Sequence, residues 1–333
     1  MALTLSAAFP PGFDTPDHVA LAEELGYQRA WLYDSPALYH DVWMTLARAA
    51  ERTATIGLGP AVLVPSLRHP MVNAAAVATL EELAPGRVAV ALGAGFTGRH
   101  VLGHRAMRWA DVRAYVASLR GLLAGETIEW EGRPIAMIHP DGYGASRPID
   151  VPILIGADGP RGTAAAAELG DGAFAAGLPN GAAAGRWSAL LQFGTVLDDG
   201  EDAACERVVE VTGPAMAVAL HAMYERAGPP AVDALPGGIA WREALEAVPE
   251  DVRHLATHAG HLVEMTDRDR SAMAAGASAM IPTFTLTGTA PEIAARLEGL
   301  GGMGVTEVAF QPGGEDVERE LRTFAAAAAG VAG

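Results

Sequence analysis

The feature that most narrows the fold is a rhythm: short apolar runs alternate with amphipathic runs that carry helix-start and helix-stop residues. Leu3–Phe9 predicts a first strand. The helix that follows runs from Asp14-Thr15-Pro16 to Gly26, with Thr15 placed to cap, Pro16 suited to the first turn and Gly26 to the stop. Arg29–Tyr33 is a second strand, and Asp41–Thr53 a helix with Val42, Leu46, Ala49 and Ala50 at helical spacing. Ile56–Val64 with His69–Leu83, then Arg87–Leu92 with Met107–Leu123, extend the pattern. Four strand–helix units in succession predict a parallel sheet.

The stretch Glu126–Ile138 interrupts the rhythm with alternating residues around Glu131-Gly132, the pattern of a small hairpin. The rhythm resumes with Pro152–Ile155 and the helix Gly159–Leu169. Next come Gly172–Ala176 with a helix over Ala182–Phe193, and Glu206–Thr212 as a seventh strand with the helix Ala215–Arg226. Val305–Gln311 and the helix Val317–Ala328 close the chain, whose alanine-rich run Ala325–Ala329 reads as a helix end. Residues 228–287 are irregular, contain Pro and His, and read as an insertion with short helices at the mouth. About eight such units, in roughly 250 residues plus insertions, are the size of a (β/α)8 TIM barrel. The 333 residues are therefore expected to form one α/β domain with insertions at the C-terminal face of its strands.

Inside the fourth unit, Gly93-Ala94-Gly95-Phe96-Thr97-Gly98 matches the spacing of a dinucleotide-binding fingerprint. That motif opens its domain and is followed about 20 residues later by an acid closing the next strand. Here three units precede it, and Asp111 falls inside an amphipathic helix. Glycines ending a barrel strand let backbone approach a flat cofactor, and a tight turn alone is the plain alternative.

Charge and cysteine usage exclude further classes. A net charge of −17 would repel a nucleic-acid backbone or an anionic membrane, so neither is expected as a partner. The single cysteine, Cys205, rules out an intrachain disulfide framework and points to the cytoplasm. The first residues lack a basic segment and their apolar run breaks at Pro10-Pro11, so no signal peptide or membrane span is expected.

Several ordered motifs carry a resemblance. They are Ala30-Trp31-Leu32-Tyr33-Asp34, Gly59-Pro60-Ala61-Val62-Leu63-Val64-Pro65, Arg68-His69-Pro70, Gly86-Arg87, Val151 through Pro160, Asp171-Gly172, and Phe284 through Thr289. The whole chain resembles the bacterial luciferase-like monooxygenase superfamily, and within it the branch that uses the deazaflavin coenzyme F420 and includes methylenetetrahydromethanopterin reductase. The resemblance implies a cofactor at the C-terminal ends of the strands. It implies a bulge at Ala61, Val62, Leu63 and Val64, with a non-prolyl cis peptide at Ala61–Val62, pressing on the ring from behind. It implies ring-adjacent residues at Gly93, Ala94, Gly95 and Phe96, and a phosphate-binding turn at Gly156, Ala157, Asp158, Gly159 and Pro160. There free amides meet the positive end of a helix. The chain departs from the branch at Ala61 and at Leu63-Val64, where relatives often carry Gly and Thr-Asn, and at Phe96, where some dehydrogenases carry Glu.

A deazaflavin carries hydride, so the protein supplies position and at most a proton donor. Asp34-Ser35 stands where many relatives carry Asp-His, which leaves Asp34, Ser35 and His100 as catalytic candidates and Asp34 open between a structural and a functional role. His258 and His261 are candidate substrate contacts, and Trp43 and Trp187 could line a ring cleft. Arg68 and Arg99 could neutralise an anionic tail. No metal is expected, because His254 and His258 lack the intervening glutamate of a metalloprotease helix and a fixed third ligand. The function expected is hydride transfer between F420 and a small organic substrate, in a homodimer. An FMN-dependent monooxygenase and a non-catalytic flavin-binding protein are the alternatives.

Overall fold

The computed structural model describes residues 3–140, 142–178 and 186–331. Eight parallel strands form the centre: β1 (Thr4–Phe9), β2 (Arg29–Leu32), β3 (Gly57–Pro60), β4 (Val90–Gly93), β7 (Ile153–Gly156), β8 (Gly172–Ala175), β9 (Trp187–Phe193) and β10 (Glu307–Gln311). Between β4 and β7 the antiparallel pair β5 (Ile128–Trp130) and β6 (Arg133–Ile135) makes the expected hairpin, turning at Glu131 and Gly132 with positive φ. The sheet order is β3-β2-β1-β10-β9-β8-β7-β4, and the bridges Leu58–Val88 and Leu63–Leu92 join its two edges. The sheet is thus closed as a (β/α)8 barrel.

Fourteen α-helices accompany the strands among the described residues. The first six are α1 (Thr15–Glu24), α2 (Val42–Ala50), α3 (Pro70–Leu83), α4 (Phe96–His100), α5 (Trp109–Ala124) and α6 (Pro160–Leu169). Next are α7 (Glu206–Ala227), α8 (Pro229–Asp233), α9 (Gly238–Glu246), α10 (Arg253–Thr257) and α11 (Asp267–Ala274). The last are α12 (Ile281–Phe284), α13 (Ala290–Gly302) and α14 (Val317–Ala328).

Two expected elements are corrected. Glu206–Thr212 is not the seventh strand but the opening of α7. The β-branched Val208, Val209 and Val211 favour a strand locally, and packing of Val208, Met216 and Leu220 under the insertion overrides that preference. The seventh strand is Trp187–Phe193, expected to be helical; residues 182–185 of that expected helix lie outside the described residues. Its apolar run is short and buried, so periodicity could not separate helix from strand.

The period of two places alternate strand residues on opposite sides of the barrel wall. Outward, Leu5, Ala7, Phe9, Val90, Leu92, Ile153, Val308 and Phe310 join the buried layer under the helices, where Phe310 stacks on Phe324 of α14 at 3.7 Å. Inward, Ala8, Ala89, Ala91, Ala189 and Ala309 leave room for Trp31 and Phe174, which meet edge to face at 5.4 Å. Below them Glu307, 2% exposed, accepts from Trp31 Nε1 at 2.6 Å and Trp187 Nε1 at 2.5 Å. The barrel floor is thereby filled. The insertion packs on α7 around Trp241, Met265 and Ile281, and its segment 258–262 reaches the mouth. There Tyr39 Oη donates to the His261 carbonyl at 2.8 Å and Gln311 Nε2 to the Leu262 carbonyl at 3.0 Å.

Candidate functional site

At the C-terminal ends of the strands, β3 leaves the sheet at Ala61 and returns to bridge β4 at Leu63, with a cis peptide between Ala61 and Val62. The partly exposed Val62 side chain stands between two glycines that end neighbouring strands. A Cβ on Gly93 would lie 2.8 Å from Val62 Cγ2, and one on Gly156 would lie 2.8 Å from Val62 Cγ1. Gly95, at φ +77°, and Gly98 likewise make room for Val64. All three glycines of the fingerprint spacing therefore accommodate the β3 bulge. What results at the ends of β3, β4 and β7 is an apolar wall, Val62 flanked by bare backbone.

Asp34 and Ser35 follow β2. The Asp34 side chain is 1% exposed and both its oxygens lie 2.7 Å from Arg68 Nη1, while Arg68 Nη2 reaches Asp41 Oδ2 at 2.9 Å. Burial pushes the Asp34 carboxyl above its ordinary range, and Arg68 opposes that shift. Asp34 is thus bound into a bridge from β2 to the loop after β3, and Ser35 Oγ sits beside Gly98. Arg68 is held within this bridge, and Arg99 donates to the Arg105 carbonyl and to Ser66 Oγ. Arg68 is thereby committed to two carboxylates, whereas these partners of Arg99 are neutral.

The turn Gly156-Ala157-Asp158-Gly159-Pro160 leads from β7 into α6. Asp158 Oδ1 accepts from the backbone amides of Ala176, at 2.8 Å, and Gly177, at 3.1 Å, so its carboxylate braces the loop after β8. Arg226, near the end of α7, lies 3.6 Å from Asp158 and stacks over the Phe96 ring at 4.6 Å. It places a cation beside the turn. The Phe96 and His100 rings meet at 4.5 Å, tilted by 55°, while Ala94 is half-buried against the outer apolar layer.

Beyond Phe96 and His100 stands a cluster whose members lie far apart in the sequence. His100, His258 and His261 are brought together with His221 and Glu225 from α7. Glu225 Oε1 is 3.1 Å from His100 Nδ1 and 3.0 Å from His258 Nε2, and Glu225 Oε2 is 3.5 Å from His221 Nδ1. His221 Nε2 and His261 Nδ1 are 3.0 Å apart. Burial acts to raise the Glu225 carboxyl, but hydrogen bonds from His100, His221 and His258 hold it well below the usual carboxylate range. Burial, followed by repulsion from neighbouring imidazoles, lowers His261; His221 is lowered mainly by burial. The i, i+4 spacing of His221 and Glu225 on one helical face was the available signal. Both residues fall inside the expected helix Ala215–Arg226, but nothing in the sequence joins that face to His100, His258 and His261.

Two expected ring-cleft residues stand elsewhere. Trp43 lies on α2, donates to Asn73 Oδ1 at 3.0 Å and packs into the helical layer. Trp187 begins β9 and so sits at the barrel floor, with Arg29 stacked on it at 4.7 Å. A cleft of about 370 Å³ opens at that floor, lined by Arg29, Arg186, Trp187 and Glu307 among others. Its charges serve the scaffold: Arg186 donates to the carbonyls of Ala167 and Gly170, and Glu307 holds both indoles.

The family model described as luciferase-like monooxygenase matches residues 10–307. A 5,10-methylenetetrahydromethanopterin reductase of Archaeoglobus fulgidus is 33% identical over 161 residues, 46% of each chain. An F420-dependent glucose-6-phosphate dehydrogenase of Beutenbergia cavernae is 34% identical over 173 residues, 46% of this chain and 50% of the relative. The chain spans about half the length of the curated relatives it matches. The solved coenzyme F420-dependent tetrahydromethanopterin reductase from Methanopyrus kandleri superposes over 98% of both chains with a TM-score of 0.66 at 20% identity, a likeness of fold.

Proposed function

The chain belongs to the luciferase-like monooxygenase family, and from that premise we propose that it is a coenzyme F420-dependent oxidoreductase acting on a small organic substrate. The observation that carries this reading is the Val62 wall, made flat by glycine on both sides. Its fit to a planar tricyclic ring joins with partial relatives named for F420. The deazaflavin, when bound, carries the hydride at a ring carbon.

The protein's own contributions follow from the site. Val62, Gly93 and Gly156 set the position of the ring face, which fixes the approach of a substrate on the opposite side. The amides opening α6 hold an anionic tail at the positive end of the helix, with Arg226 alongside. Asp34 serves as a positioning residue through Arg68, and Ser35 presents a hydroxyl at the mouth. His100, partly exposed and oriented through Nδ1 by Glu225, is the candidate proton donor. His261, partly exposed, is kept as the candidate substrate contact, while His258 lies behind it, buried against Glu225. The same reading keeps the expectation of a homodimer acting in the cytoplasm, supported by the alanine-rich helices and the lone Cys205.

The test is turnover. Reduced F420 offered with a panel of enones, imines and pterins should be oxidised only when protein and acceptor are both present. Oxygen-dependent turnover with reduced FMN instead would assign the monooxygenase chemistry, and no turnover with either would leave a binding protein.

A further inference from the structure

The cluster beside the mouth holds more donor atoms than its hydrogen bonds use. His221, His258 and His261 present ring nitrogens that all lie within 4.8 Å of one another, and His258 shares a second such group with His100 and Glu225. Among the buried side-chain atoms there, His258 Nδ1 has no hydrogen-bond partner, and His221 Nδ1 and Glu225 Oε2 have only each other, at 3.5 Å. His258 is 0% and His221 2% exposed. An orphaned buried polar atom costs free energy, and a leftover ring nitrogen among converging imidazoles calls for a group that the chain itself does not provide.

We propose that His221, His258 and His261 bind a divalent transition-metal ion of the zinc class, with the Glu225 carboxylate compensating its charge. Zinc–imidazole bonds of about 2.0–2.1 Å in tetrahedral array put ligand nitrogens roughly 3.3 Å apart. His221 Nε2 and His261 Nδ1 already stand 3.0 Å apart, and the third imidazole closes by a side-chain adjustment. Imidazole donors select zinc, copper, nickel or cobalt over magnesium and calcium, which take oxygen ligands. The sequence drew attention to His254 and His258, but His254 points at Gly103 and the set that converges is a different one.

The ion's place defines its role. It joins α7 to the segment 258–262, whose His261 and Leu262 carbonyls are bonded to Tyr39 and Gln311. The metal therefore pins the insertion over the barrel mouth. This inference does not depend on which cofactor the mouth receives.

Untagged protein, stripped with a chelator, is titrated with Zn2+ by calorimetry and separately with Co2+ by visible absorption. One ion per chain with micromolar or tighter affinity is expected, with the intense visible bands of four-coordinate cobalt and a higher melting temperature. His258→Gln and His261→Gln should each weaken binding more than ~100-fold, since each removes one of three protein ligands. Circular dichroism confirms that each variant folds. If neither does, the wild-type stoichiometry and cobalt spectrum decide alone. Three outcomes would overturn the site: no binding at ~100 μM Zn2+ against the affinities known for folded zinc sites, a pale octahedral cobalt spectrum, or binding that both variants leave intact.

Discussion

Replacing Asp34 with asparagine separates the two roles its position allows. The carboxylate is 1% exposed and both oxygens are 2.7 Å from one nitrogen of Arg68, so the variant keeps shape and removes charge. Breaking a buried pair by removing one partner costs about 3–5 kcal/mol, because an uncompensated charge stays behind. Here Arg68 keeps Asp41 at 2.9 Å and the amide can still accept, which brings the expected loss down to about 2–3 kcal/mol. For a chain of this size each kcal/mol moves Tm by about 2 °C, so Asp34→Asn should melt about 4–6 °C below wild type. Urea unfolding of Asp34→Asn, Arg68→Gln and the double variant completes the measurement: the pair should couple, the double variant losing less than the sum of the singles. If turnover falls, it should fall through affinity for the cofactor. Wild-type stability with abolished turnover would refute the positioning role and make Asp34 a participant in the chemistry.

Three further perturbations address other parts of the molecule. Gly156→Ala places a Cβ 2.8 Å from Val62 Cγ1, and overpacking of this kind costs about 1–3 kcal/mol; F420 affinity measured by calorimetry should drop with it. Trp187→Phe removes one of the two indole donors to Glu307 and should cost about 1–3 kcal/mol in thermal unfolding while leaving cofactor affinity unchanged, because it acts at the barrel floor. Glu23 accepts from the amides of Ala54, Thr55 and Ile56. Although burial acts to raise it, those bonds hold its carboxyl below the ordinary value. Its stabilisation is therefore present above the unfolded value and is lost as pH falls through the folded one. Glu23→Gln should cost about 1–2 kcal/mol at neutral pH, with the gap to wild type closing below about pH 4 in chemical denaturation.

The barrel was legible because strand residues must alternate and helices must carry an apolar stripe, and most of the chain obeys both periods. The misreadings have one physical source. Trp187–Phe193 and Glu206–Thr212 are short runs in which local preference conflicts with long-range packing, and the pairing of β9 with β8 and β10 is invisible in a window of seven residues. The glycine run was legible as a strand end, but its reason was not: Val62 and Val64, some thirty positions earlier, are what the glycines make room for. Histidines at positions 100, 221, 258 and 261 could not be joined from sequence, because they converge only when α7 and the insertion fold onto α4. Trp187 was placed at the wrong end for a related reason. Its strand was not recognised, so its direction could not be used.

The central claim is that the apolar wall at Val62 receives a planar deazaflavin. Calorimetric titration of wild type and of Val62→Asp with F420 and FMN in parallel tests it most directly. Saturable F420 binding at one site per chain, weaker FMN binding, and loss of the F420 signal in a folded Val62→Asp protein are the predicted results. F420 binding that survives Val62→Asp, or a preference for FMN, would contradict the account.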